Sequence, residues 1–197
     1  MATHPKTYLT PEQYLEIERK AEFKSEYYQG EMFAMGGARE PHNLIVWNLA
    51  TELGVQLRKR PCRAYVADMR VRVSATGLYT YPDITAVCGD PQFLDENRDT
   101  LLNPSLIVEV LSPSTEAYNR VRKFKHYRSV ESVIEYLLVA SESISTELYT
   151  RQSDGRWLLT AADHLEDSLD LQSVGVHVAL ADLYEKVDFP APPAPAV

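Results

Sequence analysis

The stretch LIVEVL, residues 106–111, is aliphatic except for Glu109, and that exception constrains the chain more than any other feature. A short unbroken aliphatic run reads as a strand buried on both faces. An ionised carboxylate inside such a strand is costly unless something meets it. The partner is open at this point: a structural Lys or Arg, a proton, or a metal ion. Alternation with period two puts Ile107, Glu109 and Leu111 on one face, and Leu106, Val108 and Val110 on the other.

The segments around this strand alternate between helix and strand. TPEQYLEIERKAE, from Thr10, carries an N-cap Thr followed by Pro and reads as a short helix. FKSEYYQGEMFAM reads as a hairpin turning at Gln29-Gly30. GGARE is a loop. PHNLIVWNLATELGVQLRKR is the clearest helix, with His42, Ile45, Val46, Leu49 and Leu53 on one stripe and His42 pointing inward. AYVADMRVRV reads as one or two strands, and ATGLYTYP as a turn. DITAVC is a further strand, and GDPQFLDENRDTLLNP is polar and turn-rich, with room for a short helix at its centre. STEAYNRVRKFKHYRSV reads as a helix opened by Ser114 or Thr115. VIEYLLV is a strand, and ISTELYTR with RWLLTAAD forms a hairpin about residues 153–156. The expected class is α/β, with a central mixed sheet flanked by helices. A single domain is expected over residues 1–189, with an extended, disordered Pro/Ala tail over 190–197.

No apolar run reaches the roughly 18–20 residues that cross a bilayer. No basic-then-apolar leader opens the sequence, so a cytoplasmic protein is expected. Cys62 and Cys88 are the only cysteines and form no C-x-x-C; they read as small buried hydrophobes rather than as a disulfide or zinc site. The net charge of −8 argues mildly against nucleic acid as a partner. Its distribution argues the other way. Residues 58–72 and 119–128 together hold 11 of the 20 Lys and Arg. They are either solvated faces or a phosphate-facing groove.

Asp83 follows Pro82, which cannot donate into a central ladder and so fixes the start of the DITAVC strand. Asp83 then stands at the rim of the sheet. If this strand pairs with 106–111, Asp83 and Glu109 come together. Two adjacent carboxylates repel, and a divalent cation relieves that repulsion. Hard oxygen ligands without a His or Cys cluster favour magnesium or manganese over zinc. On the following helix Asn119, Lys123 and Tyr127 share one face, with Arg120 at its edge. An ammonium there could orient a water and steady developing negative charge.

A Pro-Asp at a strand start, then a Glu in an apolar strand, then a Lys resembles the PD-(D/E)XK nuclease superfamily. The segments YYQGEMFAM, PHNLIVWNLATEL, TGLYTYPDITAVCG, PSLIVEVLSPST and KFKHYRSVESVIEYLLV together resemble the Uma-two family of restriction-endonuclease-like proteins, from roughly Tyr8 to Phe189. The resemblance implies a restriction-endonuclease-like core and a Mg²⁺-dependent endonuclease acting on DNA, with Mn²⁺ as a substitute. It implies Asp83 and Glu109 as metal ligands and catalytic residues. The superfamily places its Lys two residues after the Glu, where this chain has Leu111; the family's pattern moves the cation to Lys123. An Asp usually stands four residues before that Lys, and here the residue is Asn119. Glu31 and His42 match further positions of the family and join the expected catalytic set. A homodimer is expected by analogy, since cutting a duplex involves both strands.

Each of these residues has a plainer reading. Asp83 can cap a turn. Glu109 can sit in an inert ion pair with Lys123 or an Arg. Lys123 can be a solvated helix residue, His42 a core imidazole, and Glu31 an exposed hairpin residue. The alternative to an enzyme is a nuclease-fold binding or interaction module with a residual site, which the charge of −8, Leu111 and Asn119 favour.

Overall fold

The computed structural model describes residues 8–113 and 115–189, so the tail expected over 190–197 lies outside the described residues. Helix α1 (Pro11–Glu18) starts at a capping box in which the Thr10 hydroxyl and the Gln13 side chain satisfy each other's backbone N–H. Strands β1 (Ser25–Tyr28) and β2 (Glu31–Ala34) form the expected hairpin. Gln29 and Gly30 turn it with φ of 50° and 87°, the left-handed pair that a two-residue turn requires. Helix α2 (Glu40–Leu57) buries Ile45, Leu49, Leu53 and Leu57, the expected stripe continued by one turn.

The segment 64–73 contributes to two strands, β3 (Cys62–Val66) and β4 (Arg70–Val73). The segment read as a turn over 75–82 turns only as far as Gly77. Leu78 to Thr80 is a buried strand, β5 (Leu78–Thr80). Strand β6 (Ile84–Cys88) begins directly after Asp83. No helix forms over 89–104. Asp95 accepts from the Asn97 N–H at 3.0 Å, and Asn103 ties the Gln92 N–H and the Asp90 carbonyl. Such side-chain bonds satisfy the backbone that a helix would otherwise use. Only the short β7 (Thr100–Leu101) is regular there.

Strand β8 (Leu106–Leu111) is the aliphatic run, buried throughout. The helix after it is not regular. Glu116 and Ala117 are α-helical, Tyr118–Lys123 is a π-helical stretch, and α3 (Phe124–Tyr127) completes it; of its two expected caps, Ser114 lies outside the described residues. Strands β9 (Glu135–Ala140), β10 (Thr146–Arg151) and β11 (Trp157–Ala162) follow as a meander. A ribbon of β12 (Ser168–Leu171) and β13 (Val176–Ala179) leads into α4 (Leu180–Leu183).

The strands make a six-stranded sheet in the order β11-β10-β9-β8-β6-β3, a five-stranded sheet in the order β2-β1-β5-β4-β7, and the β12-β13 ribbon. Both large sheets are mixed, with β8–β9 and β4–β7 as the parallel pairs. The alternation of β8 sorts its side chains as expected. Leu106, Val108 and Val110 join the core beneath α2 and α4; Ile107 and Leu111 join the core under α3. A third cluster of Tyr14, Tyr27 and Tyr79 seats α1 on the smaller sheet. Among the described residues no helix is long and apolar enough to cross a membrane.

The reading of Cys62 and Cys88 as two free apolar side chains is corrected. They stand directly opposite each other in the β3–β6 register and form a disulfide. Direct opposition on one face of a sheet is what brings the two side chains together, and a separation of 26 residues gives no local hint of it.

Candidate active site

Strand β6 runs antiparallel to β8 with Ile84 opposite Val108, so one further step sets Asp83 opposite Glu109 on the α3 side of the sheet. A second step sets Pro82 opposite Val110, and Pro82 has no N–H to give. That leaves the Val110 carbonyl without its ladder donor, while the Val110 N–H donates to Asp83 Oδ2 at 2.7 Å. In an extended strand the N–H and C=O of one residue face the same neighbour. The Val110 carbonyl therefore also faces the rim where Asp83 stands. Pro82 thus ends the ladder where Asp83, Glu109 and a backbone oxygen converge.

The helical segment supplies the cation. Asn119, Lys123 and Tyr127 are all buried on the expected common face. Lys123 Nζ lies 2.9 Å from Glu109 Oε1, and the Tyr127 hydroxyl donates to that same oxygen at 2.8 Å. Two donors land on Oε1, and no hydrogen bond among the described residues uses Oε2. Lys123 is also 2.9 Å from Glu26 Oε1 of β1. The hydroxyls of Thr80 and Tyr118 donate to Glu26 in turn. From the first turn of α2, His42 Nε2 reaches to 3.3 Å of Asp83 Oδ1, and His42 Nδ1 is buried with no hydrogen-bond partner among the described residues.

The electrostatics follow from this crowding. Three carboxylates, from Glu26, Asp83 and Glu109, face one ammonium and one imidazole. Burial, with the charges of Asp83 and Glu26 adding to it against Lys123, pushes the Glu109 carboxyl up to about 7. Burial opposes the charged form of Lys123, but Glu109 and Glu26 more than offset it, so the ammonium is held above its ordinary pKa. Burial likewise opposes the His42 imidazolium, and Asp83 and Glu109 outweigh it, so the net shift is upward. The cluster is short of positive charge. Its free acceptors are carboxylate and carbonyl oxygens, a donor set suited to a hard divalent cation. Among the described residues, no group of three or more His, Cys, Asp or Glu is arranged to hold a metal ion, so such an ion would rest on two carboxylates and the backbone.

Of the expected residues, Asp83, Glu109, Lys123 and His42 meet at one place. Glu31 opens β2 opposite Tyr28, beside the hairpin turn. The carboxylate that this hairpin sends to Lys123 is Glu26, which sequence reasoning passed over. The local signal was slight: Glu26 is a buried acid beside two tyrosines, in a four-residue strand that does not alternate. The plain ion-pair reading of Glu109 is also realised, with Lys123 as the partner. Lys123 is no solvated helix residue.

The two basic stretches are not uniformly solvent-facing grips. Arg70 is buried and pairs with Asp99 at 3.0 Å, and Arg72 lies over the Tyr79 ring. Arg120 pairs with Glu116 and Glu147. Alternation along β4 and the inward face of the helical segment turn these cations into the protein. Arg58, Lys59, Arg60, Arg63, Arg122, Lys125 and Arg128 remain exposed.

The family model described as "Putative restriction endonuclease" matches residues 11–181. The chain belongs to the Uma2 family. It is 37% identical over 183 residues to the uncharacterized protein slr1290 of Synechocystis sp., covering 92% of this chain and 94% of that one. It is 37% identical over 152 residues to the uncharacterized protein sll1609 of the same organism, covering 77% and 86%. Among solved structures, a putative nuclease belonging to DUF820 from Anabaena variabilis superposes with a TM-score of 0.74. It shares 18% identity, over 89% of this chain and 97% of that one, which shows a common fold. The mixed α/β architecture of this Uma2 member is therefore shared with that structure, in keeping with the fold that the sequence resemblance implied.

Proposed function

We propose that this Uma2 protein is a Mg²⁺-dependent DNA endonuclease, with Mn²⁺ able to substitute. The observation that carries the reading is the meeting of Asp83 and Glu109, from neighbouring strands, beside the buried Lys123 ammonium. Asp83, Glu109 and the Val110 carbonyl would hold the cation. A cation bound there would polarise the scissile phosphate and lower the pKa of a water. Lys123, gripped by Glu26 and Glu109, keeps a fixed positive charge beside the reacting phosphoryl group. His42, oriented by Asp83, presents an imidazole at the rim that can hold a proton. The exposed Arg and Lys side chains give affinity for phosphates that is salt-sensitive and largely independent of sequence. Two copies acting together would address both strands of a duplex.

Supercoiled plasmid incubated with Mg²⁺ or Mn²⁺ tests this reading. The wild-type chain is expected to nick it and Asp83→Ala to leave it intact. Equal cleavage by both proteins removes Asp83 from the chemistry and the assignment with it.

A second reading, a nuclease-fold module that binds without cutting, is favoured by one observation. Lys123 already holds two carboxylates, and Glu109 Oε1 already takes two donors, so the cluster is largely satisfied as it stands. Calorimetric titration separates the two readings. A chain that takes up neither Mg²⁺ nor Mn²⁺, and nicks no plasmid, is the binding module.

A further inference from the structure

A groove of about 1290 Å³ is lined by α3 with its flanking residues and by the β10–β11 hairpin. Its cations are Arg122, Lys125, Arg128, Arg151 and Arg156, and among the described residues no Asp or Glu lines it. Arg156 pairs with Asp154 at 2.6 Å. The other four have no carboxylate partner among the described residues. Arg151 is instead held by backbone carbonyls of Arg128, Val130 and Val133, which fix its position, and the Glu131 carboxylate acts on it without an ion-pair contact. Burial and the charge of Arg128 push the Arg151 guanidinium down from its ordinary range. In a chain of net charge −8, four cations without an ion-pair partner among the described residues, gathered in one groove, are a marked local exception.

Aromatic side chains alternate with these charges. Tyr28, Phe124, Tyr149 and Trp157 line the groove, all half-buried. Arg151 lies 4.7 Å from the Trp157 ring centroid, and Arg128 5.5 Å from that of Phe124. Rings interleaved with guanidinium groups suit a strand whose bases are unpaired, because a duplex hides the base faces that rings stack on. The volume also exceeds the roughly 300–1,000 Å³ typical of small-molecule sites. The groove is separate from the carboxylate cluster. Glu109 stands opposite Leu138, whereas Arg151 bonds back to Ile134. Four residues of strand put Glu109 and Arg151 about 13 Å apart along the sheet.

We propose that this groove binds single-stranded nucleic acid, without any divalent cation, through Arg122, Lys125, Arg128 and Arg151 with stacking on its aromatic rim. The choice of nucleic acid rests on the nuclease reading above; the groove's own test does not. The probe is a fluorescent oligo-dT of about 16 nucleotides, within the site size of such grooves. Anisotropy is read in EDTA across about 50 to 200 mM salt. Four phosphate contacts predict a log–log salt slope of about −3, or roughly a 50-fold loss of affinity over that range. Arg122→Gln with Lys125→Gln, both exposed, should keep the melting temperature and flatten the slope by about 1.4. No binding by the wild type, or an unchanged slope in the double variant, overturns the proposal. Equal affinity for a duplex of the same length overturns the single-strand assignment. Because every reading is made in EDTA, absence of plasmid nicking with intact oligonucleotide binding counts against the nuclease and leaves the groove standing.

Discussion

Replacing Lys123 by Met leaves Glu26 and Glu109 facing each other with their shared cation gone. The Lys123 side chain is 6% exposed, and those of Glu26 and Glu109 are 10% and 4% exposed, so water offers little relief. Removing one member of a buried ion pair costs about 3–5 kcal/mol. Proton uptake sets the ceiling for each stranded carboxylate. Raising a carboxyl from its ordinary 4.5 to pH 8 spans 3.5 pH units, or about 5 kcal/mol at about 1.4 kcal/mol each. At pH 5 the same escape costs under about 1 kcal/mol. The sign follows from linkage. A carboxyl whose folded pKa lies above its unfolded one stabilises the fold below the unfolded value and loses that contribution as pH rises through the folded one. The Lys123→Met deficit is therefore largest at alkaline pH and shrinks towards pH 5. In urea titrations with EDTA present, a slope of about 2 kcal/mol/M converts the deficit at pH 8 into a midpoint lower by about 2 M. Adding Glu26→Gln and Glu109→Gln should recover most of it, since a neutral replacement has no stranded charge. A deficit of equal size at pH 5 and pH 8 would refute the claim that uncompensated carboxylates cause it.

Three further outcomes follow from the structure. Thiol titration of the unreduced chain in denaturant should find no free cysteine; two reactive thiols would remove the Cys62–Cys88 bond, and reduction should cost about 3.5 kcal/mol for a loop of this length. Thr10→Ala breaks the capping box of α1 and should cost about 1 kcal/mol, a fall of about 2–4 °C in Tm by calorimetry. Asp83→Asn takes away the carboxylate that lifts His42, so the His42 ring protons should titrate at lower pH in NMR spectra; an unmoved titration would separate the two residues.

What the sequence made legible were features written in a residue's immediate neighbours. The Gln29-Gly30 turn, the stripe of α2 and the two faces of β8 each follow from local periodicity, and each is where that periodicity placed it. Glu109 was legible for the same reason, as a charge out of place in its own strand. Glu26 needed more, because its importance lies in a Lys from a distant segment; the five-stranded sheet that brings β1 beside the helix is a tertiary fact. The same holds for Cys62 and Cys88, whose opposition appears only once β3 pairs with β6. The π-helical stretch was hidden because a spacing of four fits either kind of turn. Asn119, Lys123 and Tyr127 keep a common buried face although the backbone is not a regular α-helix. Pro82 joins the local to the tertiary. Its missing N–H, readable from one letter, leaves the Val110 carbonyl without a ladder donor, while the Val110 N–H bonds the Asp83 carboxylate. A single imino acid therefore does two things at this rim: it ends the β6–β8 ladder, and by ending it leaves the Val110 carbonyl without a strand partner beside the Asp83 carboxylate.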